Sequence, residues 1–168
     1  LKPVPSALTL KPDTGPGAPM KFKNVVIQSL AAIDPPIRVT SKEIEQKLQP
    51  TLKRLGIRDD LLEEVSGIGA RRFWKKGTQP SDAATLAAEK ALDEAGIDRE
   101  KIGVIINTSV CRDFLEPSTA CIVHGNLGLS ENCLNFDVGN ACLAFLNGMD
   151  IAARMIERAE VEYALIVD

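Results

Sequence analysis

Apolar residues recur along this chain in two rhythms. Ile44, Leu48, Leu52 and Leu55 stand three or four apart with charges between them, the spacing of one helix face. Ahead of them Thr40-Ser41-Lys42-Glu43 has the T-x-x-E form of a capping box, and Gly56 closes the run. Pro50 is expected to divide the run into two helical pieces, as the first residue of the second. A short helix at Leu61–Val65 follows, and Gly67–Trp74 reads as a strand or extended loop. The other rhythm is the short continuous apolar run. Gly103–Ser109, Leu134–Val138 and Tyr163–Val167 are of this kind, and Val25–Ile27 is a β-branched run that also predicts a strand. Between the later runs lie helical stretches: one from an N-cap at Ser81 to Ala95 with Gly96 at C′, one from Pro117 to about Leu127, and one from about Cys142 to Arg158.

Strands alternating with helices, and strands that are continuously apolar, predict an α/β fold: a mostly parallel sheet with helices on both faces. In such sheets ligand chemistry gathers at the carboxyl ends of the strands. That places Asn107–Glu116 and Gly139–Cys142 on one edge. The first 19 residues differ from the rest, with five of the ten prolines, two glycines and no aromatic residue. They predict an extended arm over residues 1–19, followed by one domain over residues 20–168.

Composition narrows the function classes. The chain has 168 residues, 26% of them charged, with a formal net charge of −3. This length suits one domain that buries a real core. An acidic balance and only seven aromatic residues argue against a nucleic-acid surface. No apolar run reaches the roughly 18 residues of a transmembrane helix, and no basic-then-apolar leader pattern opens the chain.

The cysteines, Cys111, Cys121, Cys133 and Cys142, are spaced ten, twelve and nine apart. Zinc ligation needs close pairs, so no metal site is expected. The expectation is four reduced thiols in a cytoplasmic protein. Cys111, Cys121 and Cys133 read as packing residues. Cys142 has a different setting. In Asn135-Phe136-Asp137-Val138-Gly139-Asn140-Ala141-Cys142-Leu143-Ala144-Phe145 a strand ends, a turn of small residues follows, and Cys142 opens a helix. A helix N-terminus carries roughly half a positive charge and unpaired N–H groups, which favour thiolate over thiol and can hold an oxyanion. That helix is apolar nearly all round, as a buried central helix is. On position alone, packing residue and nucleophile both fit Cys142.

The pattern D-V-x-N-A-C-x-A-F before an apolar helix resembles the nucleophile turn of the thiolase superfamily, in its ketoacyl-synthase-III-like branch. Segments Thr40–Leu55, Ser66–Trp74, Ser81–Gly96, Ile102–Ser109 and Tyr163–Asp168 are similar to the corresponding parts of that branch. Arg112-Asp113-Phe114-Leu115-Glu116-Pro117-Ser118-Thr119-Ala120 and Asn140–Asp150 resemble its OleA family in particular, and the resemblance covers residues 20–168. It implies a thiolase-like half-fold, completed by a second half. It also implies an acyltransferase: a non-decarboxylative Claisen condensation of two long-chain acyl-CoA thioesters to a β-keto acid, the first step of olefin biosynthesis. Cys142 is then the nucleophile that carries the first acyl chain as a thioester. Glu116, in the matching L-E-P-S position, is the general base for the second acyl-CoA, acting across a dimer interface. Without the resemblance, Glu116 reads first as an N-cap carboxylate ahead of Pro117. Its apolar neighbours Leu115 and Pro117 favour a raised pKa and hence a base. No covalently bound cofactor is implied; coenzyme A thioesters are the substrates.

Other residues carry weaker expectations. His124, the only histidine, lies mid-helix and reads as structural, because the family's catalytic His and Asn belong to the second half. Arg71-Arg72 beside Trp74 suits either a CoA phosphate or a solvated or interface pair. Asn107-Thr108-Ser109 ends a strand and by position lines the site. The resemblance therefore implies a partner, a complementary C-terminal half carrying His and Asn, in a homodimer or heterotetramer-like assembly. Two other functions stay open: another condensing reaction of the ketoacyl synthase III or hydroxymethylglutaryl-CoA synthase type, and a non-catalytic scaffold half.

Overall fold

The structure, a computed structural model, describes residues 22–168. The arm expected over residues 1–19 lies outside the described residues. Three parallel strands, β3 (Ile102–Asn107), β4 (Leu134–Asp137) and β5 (Tyr163–Val167), form a sheet in the order β4-β3-β5. Two further strands, β1 (Ile37–Thr40) and β2 (Ala70–Phe73), form a separate antiparallel pair with Ile37 opposite Phe73. The helices are α1 (Ser41–Leu55), α2 (Leu61–Ser66), α3 (Pro80–Ala95), α4 (Thr119–Leu127) and α5 (Ala144–Glu157).

The period-two alternation of β3 divides the core between two layers. Ile105 points to one face, where it packs with Ala84, Ala88 and Leu92 of α3, Val123 and Leu127 of α4, and Leu165 and Val167 of β5. Val104 and Ile106 point to the other face, where Ala152, Ile151 and Met155 of α5 pack with Phe136 and Ile166. Every side chain of Val104, Ile105 and Ile106 is fully buried, as expected of a central parallel strand. Helices on both faces of a parallel sheet therefore stand as the sequence pattern predicts.

Several elements differ from expectation. Val25–Ile27 forms no strand: Val26 and Ile27 are 77% and 72% exposed. The backbone there is held at its start instead, where Lys23 and Asn24 N–H donate to the Glu157 carboxylate. Helix α1 runs unbroken through Pro50. The bond that proline removes is to the Gln46 carbonyl, and both residues are exposed, so water can take that acceptor. The Thr40–Glu43 capping box and the left-handed Gly56 C-cap fix the two ends of α1 as read.

Helix α3 begins one residue before Ser81. Gln79 is its N-cap, Pro80 occupies the first turn, and Asp82 closes a capping box back onto Gln79 N–H at 2.9 Å. Ser81 is buried within the first turn. Likewise α4 starts at Thr119, not Pro117, because the Ser118 hydroxyl caps it by accepting from Cys121 N–H at 3.1 Å. Helix α5 buries one face only, through Ala144, Gly148, Ala152 and Ala153. Leu146 on its other side is 59% exposed in this chain.

Candidate active site

The carboxyl ends of β3, β4 and β5 are knitted together by backbone bonds. Val138 N–H donates to Asn107 O and Thr108 N–H to Val167 O, each at 2.8 Å. The fully buried Thr108 hydroxyl lies 3.0 Å from Val167 O and 2.9 Å from Asp168 Oδ1. Beyond this rigid edge the chain makes two excursions. The β3–α4 loop carries Cys111 to Pro117, and the β4–α5 turn carries Gly139 to Leu143.

The β4–α5 turn has an unusual backbone. Asn140 is at φ −153° and Ala141 at φ 44°, in the left-handed region that costs a residue with a Cβ on the order of 1 kcal/mol or more. Local bonds hold it there. Asn140 Nδ2 donates to Asn147 Oδ1 at 2.7 Å, which ties the turn to the second turn of α5, and Leu143 N–H donates to Asn140 O at 3.0 Å. Cys142 follows at once, exposed, in the middle of a single 3-10 turn (Ala141–Leu143). It was expected to open the helix. The α-helical ladder starts only at Ala144, after the 3-10 turn that begins at the left-handed Ala141. A sharp, strained strand-to-helix turn that lifts a nucleophile clear of the sheet edge is a recurring catalytic device.

Gly148 lets α5 approach the sheet. A Cβ built there would stand 2.7 Å from Thr108 Cγ2, so only glycine permits this separation. The glycine thereby seats α5 against Thr108, the residue after β3.

Glu116 lies on the neighbouring loop of the same edge, and it is exposed. Leu115 beside it is 84% exposed, so the apolar enclosure expected around Glu116 is not supplied by this chain. The two loops meet at Gly139, where Arg112 Nη2 stands 3.5 Å from the position of an added Cβ. Two aspartates that sequence reasoning missed anchor this region. Asp137, at the end of β4, accepts from Thr119 N–H at 3.1 Å and Ala120 N–H at 2.8 Å, placing a carboxylate on the amino end of α4. Asp113 accepts from Ser81 N–H at 3.0 Å in the first turn of α3. Neither partner is near in sequence, so no local motif reveals the bonds.

A cleft of about 260 Å³ opens between this edge and the start of α3, lined by Trp74, Gln79, Pro80, Asn107, Ser109 and Asp168 among others. Asn107 is buried, and its Nδ2 has no hydrogen-bond partner among the described residues. Asn107 and Ser109 line this cleft, whose lining includes neither Cys142 nor Glu116, and Thr108 turns into the core.

The remaining candidates are accounted for locally. Cys133 is buried, and that burial raises its thiol pKa against a weaker opposing bond from the Ile105 backbone. Cys111 and Cys121 are exposed, contrary to the packing expectation. Cys111 sits on the β3–α4 loop, and Cys121 is on the outward side of α4, whose inward side is Ala120, Val123 and Leu127. The His124 ring Nε2 lies 3.1 Å from Ser130 O, bracing the turn after α4. Arg71 donates to Ser41 Oγ at 3.0 Å, and Arg72 donates to Pro35 O at 3.1 Å with Asp34 at 3.7 Å. Both arginines thus hold the chain around β1 and β2. Among the described residues, no group of three His, Cys, Asp or Glu side chains converges as a metal site, and no helix is long and apolar enough to cross a membrane.

No family model matches the chain. The fold is that of a thiolase-like half-fold: a crystal structure of a histidine-to-asparagine variant of Xanthomonas campestris OleA superposes with a TM-score of 0.82 at 64% identity, covering 86% of this chain and 43% of that one. The acyl-CoA:acyl-CoA alkyltransferase of Xanthomonas campestris pv. campestris is 64% identical over 149 residues, which are 89% of this chain and 44% of the relative. A β-ketoacyl-[acyl-carrier-protein] synthase III from Clostridium tetani is 32% identical over 148 residues, 88% of this chain and 42% of the relative. The close homologues of this chain therefore include OleA, an acyl-CoA:acyl-CoA alkyltransferase. A crystal structure named as a 3-oxoacyl-(acyl carrier protein) synthase III from Xanthomonas oryzae pv. oryzae is also 62% identical, with a TM-score of 0.83 over 88% of this chain and 44% of that one. The chain spans less than half the length of these relatives.

Proposed function

We propose that this chain supplies the nucleophile and the general base of an enzyme that condenses two long-chain acyl-CoA thioesters head to head. The observation that carries the reading is the left-handed Ala141, which presents Cys142 at the carboxyl edge of the parallel sheet. Similarity to an acyl-CoA:acyl-CoA alkyltransferase supports the choice of substrate.

The Cys142 thiolate attacks the thioester carbonyl of the first acyl-CoA. The carbon–sulfur bond to CoA breaks, and the departing thiolate takes up a proton. The Glu116 carboxylate then removes a proton from the α-carbon of the second acyl-CoA. The resulting carbanion attacks the Cys142 thioester, forms the new carbon–carbon bond and expels the Cys142 thiolate. Water hydrolyses the remaining CoA thioester. Two acyl-CoA and one water thus give one β-keto acid and two CoA, the entry to long-chain olefin synthesis. Both tetrahedral oxyanions need hydrogen-bond donors. A His and an Asn from the rest of the fold would supply them, whether on this polypeptide or on a second one. Glu116 would act across a dimer interface, and the exposed Phe114 and Leu115 beside it suit cover by a neighbouring subunit.

The test offers the whole protein long-chain acyl-CoA alone, or acyl-CoA with a malonyl-carrier protein. β-Keto acid from acyl-CoA alone is the expected result. Product that forms only with the malonyl-carrier protein would assign a ketoacyl synthase III reaction instead.

A further inference from the structure

The β3–α4 loop is held at each end. At its start Cys111 N–H donates to Ser109 Oγ at 3.1 Å. At its finish the N–H groups of Thr119 and Ala120 donate to Asp137. Between these points the loop runs through Arg112, Asp113, Phe114, Leu115 and Glu116. Phe114, Leu115 and Glu116 are all exposed and so give the segment no buried anchor. Asp113 is the member of the segment that reaches inward. Its Oδ1 accepts from Ser81 N–H at 3.0 Å, and its buried Oδ2 has no hydrogen-bond partner among the described residues.

A carboxylate oxygen buried without a hydrogen bond is costly. An aspartate in such a place needs a compensating role. Helix α3 is 16 residues long, and its first-turn N–H groups and dipole favour an anion, so the single bond from Ser81 is charge-assisted. Ser81 is itself buried and fixed in the first turn of α3, which packs on the sheet. The bond therefore refers the middle of the loop to the rigid core, three residues before Glu116.

We propose that Asp113 is a positioning residue: through Ser81 N–H it sets the place of the loop that carries Glu116, and so the reach of that carboxylate to the substrate α-carbon. This rests on the assignment of Glu116 as the base. It separates the two half-reactions. Acyl transfer to Cys142 uses the β4–α5 turn and does not need the Asp113 bond, whereas proton abstraction does.

The experiment uses the whole protein and measures the two half-reactions apart. For Asp113→Ala we expect acyl transfer to Cys142 within about twofold of wild type, and condensation slowed by about tenfold to a hundredfold, the scale of a misplacement of about 1 Å. Asp113→Asn keeps an oxygen acceptor for Ser81 N–H and should recover most of the condensation rate. Hydrogen exchange at the Ser81 amide should speed up in the alanine variant and return toward wild type in the asparagine variant. Should Asp113→Ala fold poorly, Asp113→Glu keeps the charge and moves it by one methylene, and should lose condensation while retaining acyl transfer. Wild-type condensation in Asp113→Ala, or equal loss of both half-reactions in a folded variant, would overturn the proposal. A Glu116→Gln control separates the two ideas. If it condenses at the wild-type rate, the base assignment fails and this inference falls with it. If it is inactive while Asp113→Ala is not, only this inference fails.

Discussion

Replacing Gly148 by alanine tests the contact that seats α5 on the sheet. The added methyl would meet Thr108 Cγ2 at 2.7 Å, where ordinary contact begins at 3.4 Å, and it would meet Ile166 and Ile106 methyls at 3.5 and 3.6 Å. The Ile contacts are normal, so the strain lies with Thr108. That side chain cannot swing away freely, because it is fully buried and its hydroxyl is bonded at the sheet edge to Val167 O and Asp168. Overpacking of this kind costs about 1–3 kcal/mol. Alanine returns about 1 kcal/mol of helix propensity relative to glycine. The net expectation is a loss of up to about 2 kcal/mol. Thr108→Ser removes the offending methyl, at a cost near 1 kcal/mol for the lost burial. The two substitutions should therefore be strongly non-additive: in the Thr108→Ser background, Gly148→Ala should be nearly neutral or stabilising. Urea denaturation of the four proteins measures this. A Gly148→Ala protein as stable as wild type, with an additive double variant, would refute the packing argument.

Two further predictions concern stability and pH. Thr40→Ala removes the capping hydroxyl of α1 and should cost about 1 kcal/mol in thermal or urea denaturation. The bond from the Thr40 side chain, together with that from its backbone, holds the Glu43 carboxyl below its ordinary 4.5. The folded state thus favours ionised Glu43: its stabilising share is present above 4.5 and is lost as pH falls through the lowered folded value. In Thr40→Ala that acid-side loss should shrink, which pH-dependent melting will report. At the alkaline end, burial raises Cys133 above its ordinary 9.0. Stability held with the neutral thiol is complete below 9.0 and declines as pH rises from there through the folded value. Cys133→Ala should flatten this decline, and alkylation of Cys133 in the native protein should be slow at neutral pH.

Most of the scaffold was legible because its signals are local. The T-x-x-E box at Thr40 and the glycine at 56 each act within one turn of chain. The apolar runs of β3, β4 and β5 mark buried parallel strands by their own composition. Where the reading failed, the deciding partner was elsewhere or the local competition was close. Val25–Ile27 has the composition of a strand but forms no ladder. Pro50 is a helix breaker on average, yet here the carbonyl it orphans is exposed. Gln79 took the N-cap from Ser81 because Pro80 suits the first turn and Asp82 can bond back. For the site, Cys142 could be singled out from its small-residue turn, but the left-handed Ala141 that aims it is a property of the folded turn. Asp113 was invisible because its partner is 32 residues away and belongs to another helix.

The proposed role of Cys142 is to carry the acyl chain. It is tested by incubating the whole protein with a long-chain acyl-CoA and measuring the mass of the peptide that contains Cys142. The acyl mass increment is expected on that peptide in wild type and in Glu116→Gln, and not in Cys142→Ala. Normal acylation of Cys142→Ala, or a wild-type increment on another peptide, would contradict it.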